Sequence, residues 1–247
     1  MSHVLIMGAT YGSLFATKLL LAGHHVTLMC LPDEAALINA EGTRVRLPIR
    51  GRADPVEIDS RSTPGTLSAA APADCDPAAF DLVVLAMQEP QYGAADVRTL
   101  LGAVAAARVP CLSIMNMPPL PYLARLSALS TETLRGCYTD PSVWNGFDPA
   151  LMTLASPDPQ AFRPPEEAAN VLQVGLPTNF KVARFESDEH TALLRALAAD
   201  IDAVRFDVGG GESIELPVKL RVHESVYVPL AKWCVRWQAW SHCQLLG

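Results

Sequence analysis

The stretch HVLIMGATYGSLFATKLLLAGHHVTLMC, residues 3–30, decides the fold. Residues 4–7 form a continuous apolar run, which reads as a strand buried on both faces. The run ends at Gly8. Residues 14–22 then repeat apolar side chains around one charge, Lys18, and Gly23 stops that helix as a C-cap. Residues 26–30 are a second apolar strand. Strand, glycine-bearing turn, helix and strand in so short a span open a doubly wound α/β unit.

The turn itself, Gly8-Ala9-Thr10-Tyr11-Gly12-Ser13, sits where a dinucleotide pyrophosphate rests on backbone N–H groups at a helix N-terminus. Glycine there lets backbone and phosphate approach closely. Gly8, Ala9, Thr10, Tyr11, Gly12 and Ser13 are therefore candidate cofactor-binding residues. The spacing departs from G-x-G-x-x-G: Thr10 stands where a glycine is expected, and the turn is one residue short. A tight βα turn that binds nothing is the competing explanation. After the second strand come Cys30, Leu31 and Pro32. Asp33 and Glu34 stand late for a ribose contact and suit the start of a helix. The next basic residue is Arg44, so this loop does not choose between NAD and NADP.

Moving outward, residues 32–40 read as a short helix. Residues 44–49 and 55–58 alternate around Gly51 and read as a strand pair. Residues 60–79, rich in Ala, Pro, Ser and Asp, read as a loop. An apolar strand at 82–87 precedes an Ala-rich helix at 91–107, and a strand at 110–115 ends at Asn116. Further strands are expected near 135–138 and 151–155. Residues 171–174 and 180–185 are expected as an antiparallel pair, 188–199 as a helix and 204–206 as a last strand. The fold predicted is α/β: a Rossmann-like, mostly parallel doubly wound sheet over residues 1–208, then a short helical segment over 209–247 as an incomplete second domain. In that segment 212–230 read as a helix disturbed by Pro217 and Pro229. Trp233, Trp237 and Trp240 fall on one helical face, which predicts a homodimer through the C-terminal segment.

Composition excludes several classes. With 50% hydrophobic and 18% charged residues the chain is no disordered tail. The 19 basic residues against 26 acidic ones give a net charge of -7, so nucleic acid is not an expected partner. The six cysteines are scattered without a CxxC, which suits reduced thiols and no metal site. No basic leader with a cleavage site and no apolar run of membrane-spanning length stands out, so a cytoplasmic protein without a membrane partner is expected. The letters GAT invite a short-chain dehydrogenase, but none of the five tyrosines has a lysine four residues later.

Four segments carry a resemblance: GSLFATKLLLAGHHV at 12–26, DLVVLAMQEPQ at 81–91, LSIMN at 112–116 and ELPVKLRVHESVYVPL at 215–230. Together they resemble the ketopantoate reductase family, NADPH-dependent enzymes with a Rossmann domain followed by a helical domain. The resemblance implies that Gly8 and Gly12 hold the pyrophosphate, and that NADP(H) comes ahead of NAD(H). It implies that Gln88 stands where the family has a lysine. Asn116 matches the asparagine beside nicotinamide and substrate, followed here by Met117-Pro118-Pro119 in place of glycine. Lys219 matches the lysine that protonates the substrate ketone, on a helix whose next turn carries His223 in place of asparagine. A ketone reduced by hydride gains negative charge on oxygen, which a nearby ammonium stabilises, so Lys219 also suits that role chemically. It is one of only four lysines. Two functions follow as expectations. The first is an NAD(P)H-dependent reductase of a small 2-keto acid, with Lys219 and Asn116 as catalytic residues. The second is a non-catalytic dinucleotide-binding protein, favoured by the altered turn, Gln88 and the Pro-Pro after Asn116.

Overall fold

The computed structural model describes residues 1–127, 129–155 and 161–225. Its first half alternates strand and helix: β1 (His3–Met7), α1 (Ala9–Leu21), β2 (His25–Met29), α2 (Pro32–Glu41), β3 (Arg44–Leu47), β4 (Val56–Asp59), β5 (Thr66–Ala70), β6 (Leu82–Leu85), α3 (Ala95–Ala107) and β7 (Cys111–Ser113). Two short helices follow, α4 (Leu120–Leu123) and α5 (Thr131–Arg135), and then β8 (Met152–Leu154). The remainder comprises β9 (Ala161–Phe162), β10 (Val171–Val174), β11 (Phe180–Ala183), α6 (Asp188–Ala203), β12 (Phe206–Asp207), β13 (Ser213–Ile214) and β14 (Leu220–His223).

Six strands form the main sheet in the order β5-β2-β1-β6-β7-β8, and every pairing in it is parallel. This is the Rossmann order, with the strand sequence reversing between β1 and β6. The period of two along β1 explains its burial on both sides. Val4 and Ile6 join the core that holds α1 and α6, whereas Leu5 and Met7 join the core that holds α3. The predicted Rossmann-like parallel sheet is therefore present.

A second sheet, β4-β3-β10-β9, is built from the strand pair inserted after α2 and from two later strands. It packs against α1.

Several sequence expectations need correction. The stretch 60–79 contains β5, whose sequence TLSAA has no apolar pattern; it becomes an edge strand because β2 offers it a parallel ladder. Residues 135–138 are not a strand: Arg135 closes α5 and a turn follows. Strands β10 and β11 are not paired with each other. β10 lies between β3 and β9, and β11 pairs in parallel with β14. The predicted helix at 212–230 is replaced in its described part by β13 and β14. Pro217 denies that stretch a helical N–H, and alternating Leu220 and Val222 find a strand partner in β11. The tryptophan face and the dimer predicted from it lie outside the described residues.

Among the described residues no helix is long and apolar enough to cross a membrane, and no group of three His, Cys, Asp or Glu side chains could hold a metal ion. Cys30, Cys75, Cys111 and Cys137 are free thiols.

Candidate functional site

Because the sheet is parallel, the ends of β1, β2, β6 and β7 meet along one edge. Backbone bonds lock these ends together. Gly8 N–H donates to Met29 O (2.9 Å), Ala86 N–H to Met7 O (2.9 Å) and Ile114 N–H to Leu85 O (2.9 Å). The reversal of strand order falls between β1 and β6, so the crevice that such a reversal creates outside the strand ends is expected beside the Gly8 turn and residues 86–88. Ligands of open α/β sheets bind at such a point.

Only Gly8 separates β1 from α1. It has φ 114°, a backbone that favours glycine. A Cβ there would stand 2.6 Å from Met87 Cγ and 2.7 Å from Ala86 O, so the turn presses directly on the end of β6. Gly12 serves packing: a Cβ at that position would stand 2.3 Å from Ile6 Cγ2, so its absence lets α1 lie against β1. The N-terminus of α1 has no side-chain cap and no acidic residue in its first turn. The N–H groups of Ala9, Thr10 and Tyr11 have no partner within the helix, which makes this end attractive to an anion. These are the donors that a pyrophosphate would use. The turn is contracted, with Thr10 in the first helical turn where a glycine was expected.

The structure places the other predicted residues unequally. Ser13 is buried and its hydroxyl donates back to Ala9 O, so it closes the helix and does not face the crevice. Tyr11 and Gln88 do meet at the crevice: Gln88 Nε2 donates to Tyr11 Oη at 2.9 Å. Asn116 is exposed on the loop after β7, at the same sheet edge and one strand further from the turn than Gln88.

Lys219 lies elsewhere. It stands directly before β14, and its N–H donates to Asn179 Oδ1 (2.9 Å). Its ammonium stands 3.6 Å from Asp202 and 3.8 Å from Glu215. Asp202 is near the C-terminal end of α6, where Asp200 pairs with His24 (3.3 Å), the residue just before β2. This is the strand-start edge, opposite Asn116. Lys18 lies alongside, about 13 Å down α1 from Ala9 by helix geometry, and donates to Pro217 O at 3.0 Å. Burial, with Lys219 as like-charge neighbour, pulls the Lys18 amine down to about 7, against the opposite pull of Asp202. The structure thus does not bring Lys219 and Asn116 together. His223, expected one helical turn beyond Lys219, instead ends β14 opposite Ala183.

Two features of the site escaped the sequence. Glu89, directly after Gln88, is buried and accepts from Thr139 N–H (3.0 Å) and Thr139 Oγ1 (2.9 Å), while Tyr138 Oη donates to Pro118 O (2.5 Å). These bonds clamp the loops after β6 and β7 to the segment after α5. No local signal announces them, because the partners are 50 and 20 residues apart. The second feature is Arg163, which the tertiary fold carries to the end of β2 and against Glu34.

No family model and no curated protein matches the chain. Solved structures do. A protein assigned as a ketopantoate reductase from Ralstonia solanacearum MolK2 superposes with a TM-score of 0.63 at 14% identity, over 94% of this chain and 64% of that one. 2-Dehydropantoate 2-reductase from Methylococcus capsulatus gives 0.54 at 15% identity, over 94% and 59%. An octopine dehydrogenase complexed with NADH and agmatine gives 0.53 at 14%, over 94% and 51%. The chain thus spans less than two thirds of the length of each of these structures. Nearly its whole length shares its architecture with these ketopantoate reductase structures and with the octopine dehydrogenase.

Proposed function

We propose that this chain binds a nicotinamide dinucleotide at the Gly8 turn and belongs to a reductase of a small 2-keto acid, with NADP(H) ahead of NAD(H). The observation that carries this reading is the Gly8 turn itself. It stands at the reversal point of a parallel sheet in Rossmann order, with the uncapped N-terminus of α1 opening on the crevice. The fold shared with ketopantoate reductase structures supports it.

In this proposal the N–H groups of Ala9, Thr10 and Tyr11 take the pyrophosphate, and Gly8 keeps the turn tight against Ala86 and Met87. Gln88 and Tyr11 border the crevice through their mutual hydrogen bond. The bound cofactor supplies the hydride. Asn116 offers an amide to the substrate oxygen that gains charge, and its exposed position at the strand ends suits that task.

A second reading, dinucleotide binding without turnover, is favoured by one observation: the Lys219 ammonium sits between Asp202 and Glu215 at the opposite edge. The two readings separate in one experiment. The chain is titrated with NADPH and NADH while nicotinamide fluorescence is followed, and small 2-keto acids, ketopantoate first, are then added while cofactor oxidation is measured. Binding with oxidation supports the reductase, and binding without it supports the second reading. If neither dinucleotide binds at millimolar concentration, both fail.

A further inference from the structure

The end of β2 carries a feature that the binding turn does not explain. Strand β9 is held antiparallel to β10, which is itself tied to the strand pair inserted after α2. This second sheet delivers Arg163 to the first turn of α2, where its Nη2 donates to Glu34 Oε1 across 129 residues of sequence. The two groups border an open cleft of about 560 Å³, together with Asp33, Leu31, Leu37 and Ala169. Leu31 is 72% exposed, although it is large and apolar. The cleft therefore combines an apolar shelf with one cation, Arg163, and two carboxylates, Asp33 and Glu34, of which Glu34 is the one paired with the guanidinium. It lies next to the Gly8 turn, because Gly8 N–H bonds to Met29 O, two residues before Leu31.

That chemistry matches an adenosine: a flat apolar base, and a ribose whose 2′ substituent is a hydroxyl in one dinucleotide and a phosphate in the other. We infer that Arg163 reads the 2′ position of the bound dinucleotide, with Glu34 as its opposing partner. This rests on the dinucleotide reading above. A guanidinium carries five N–H donors, and the Glu34 pair uses one of them. Arg163 can turn further donors to a 2′-phosphate, in the planar geometry that suits phosphate. Glu34 acts in the other direction. Its carboxylate accepts from a 2′-hydroxyl and repels a 2′-phosphate. The residue that selects NADP(H) thus comes from outside the βαβ unit that binds the dinucleotide, and no basic residue directly after β2 is required.

The test is the ratio of NADPH to NADH affinity for the full chain, at fixed ionic strength, read by nicotinamide fluorescence. Arg163→Gln should weaken NADPH about 10- to 100-fold, as expected for one charge-assisted contact, and leave NADH nearly unchanged. Glu34→Gln should move the ratio the opposite way, with NADPH tighter and NADH weaker. Arg163→Lys keeps the charge without the planar fork and should fall between wild type and Arg163→Gln. If Arg163→Gln does not fold, as judged by circular dichroism, Glu34→Gln and Arg163→Lys decide alone. An unchanged ratio in every folded variant overturns the role of Arg163 and leaves the dinucleotide reading standing. Failure of the wild-type chain to bind either dinucleotide overturns both.

Discussion

Replacing Lys18 with methionine should stabilise this protein at acidic and neutral pH. The Lys18 side chain is 2% exposed and its amine is pulled from an ordinary 10.5 down to about 7. At about 1.4 kcal/mol per pH unit, that depression sets a ceiling of roughly 5 kcal/mol on the cost of holding the amine charged in the fold. Methionine fills a similar length without charge, but it forfeits the 3.0 Å bond to Pro217 O, a loss of about 1.5–3 kcal/mol. The net gain expected for Lys18→Met is therefore about 1–3 kcal/mol near pH 6, in the range seen when buried charges give way to apolar groups. The pH dependence follows from proton counting. Between about 7 and 10.5 the unfolded chain binds the proton and the folded one does not, so the wild type gains stability as pH rises through that window. The variant lacks this gain. Its advantage should shrink with rising pH and reverse by about pH 10, where the neutral wild-type amine keeps its hydrogen bond. Urea unfolding of both proteins at about pH 6, 8 and 9.5 measures the difference directly. A variant less stable than wild type at every pH, by a constant amount, would refute the argument, because Lys18 would then enter the fold fully charged and compensated.

Other consequences are equally direct. Gly8→Ala forces a Cβ to within 2.7 Å of a backbone oxygen at φ 114°; it should lower stability by about 2–4 kcal/mol and abolish dinucleotide binding, checked by unfolding and by fluorescence titration. Lys219→Ala should cost less than about 1 kcal/mol, because Asp202 keeps Arg221 and Glu215 keeps Arg205, with cofactor affinity unchanged. A fall in turnover of about 10²–10³ at unchanged stability would instead return Lys219 to the proton-donor role. Glu89→Ala removes both hydrogen bonds to the exposed Thr139 and should cost about 1–2 kcal/mol, with earlier proteolytic cleavage around residues 130–140 as the second sign.

What the sequence determined by itself is the nucleotide-binding core. Val4 to Met7 and Leu82 to Leu85 are short, continuous apolar runs, and Val26 to Met29 is interrupted only by Thr27. Such runs bury both faces, so they demand a parallel sheet with helices on either side. The need for glycine at Gly8 was legible in the same way, as a close backbone approach, whereas Gly12, expected at a pyrophosphate, makes room for the Ile6 side chain. Strand β5 was not legible, since TLSAA carries no apolar period and owes its ladder to β2. Neither was the chain around Lys219, where a four-residue spacing suggests a helix until β11 supplies a parallel partner. Tertiary structure alone decided that the Lys219 ammonium faces Asp202, that Glu89 anchors Thr139 and that Arg163 meets Glu34. Each of these is a contact between charged or polar side chains far apart in sequence. No periodicity encodes such a contact. It exists because the sheet order brings two distant segments together where burial leaves a polar group in need of a partner.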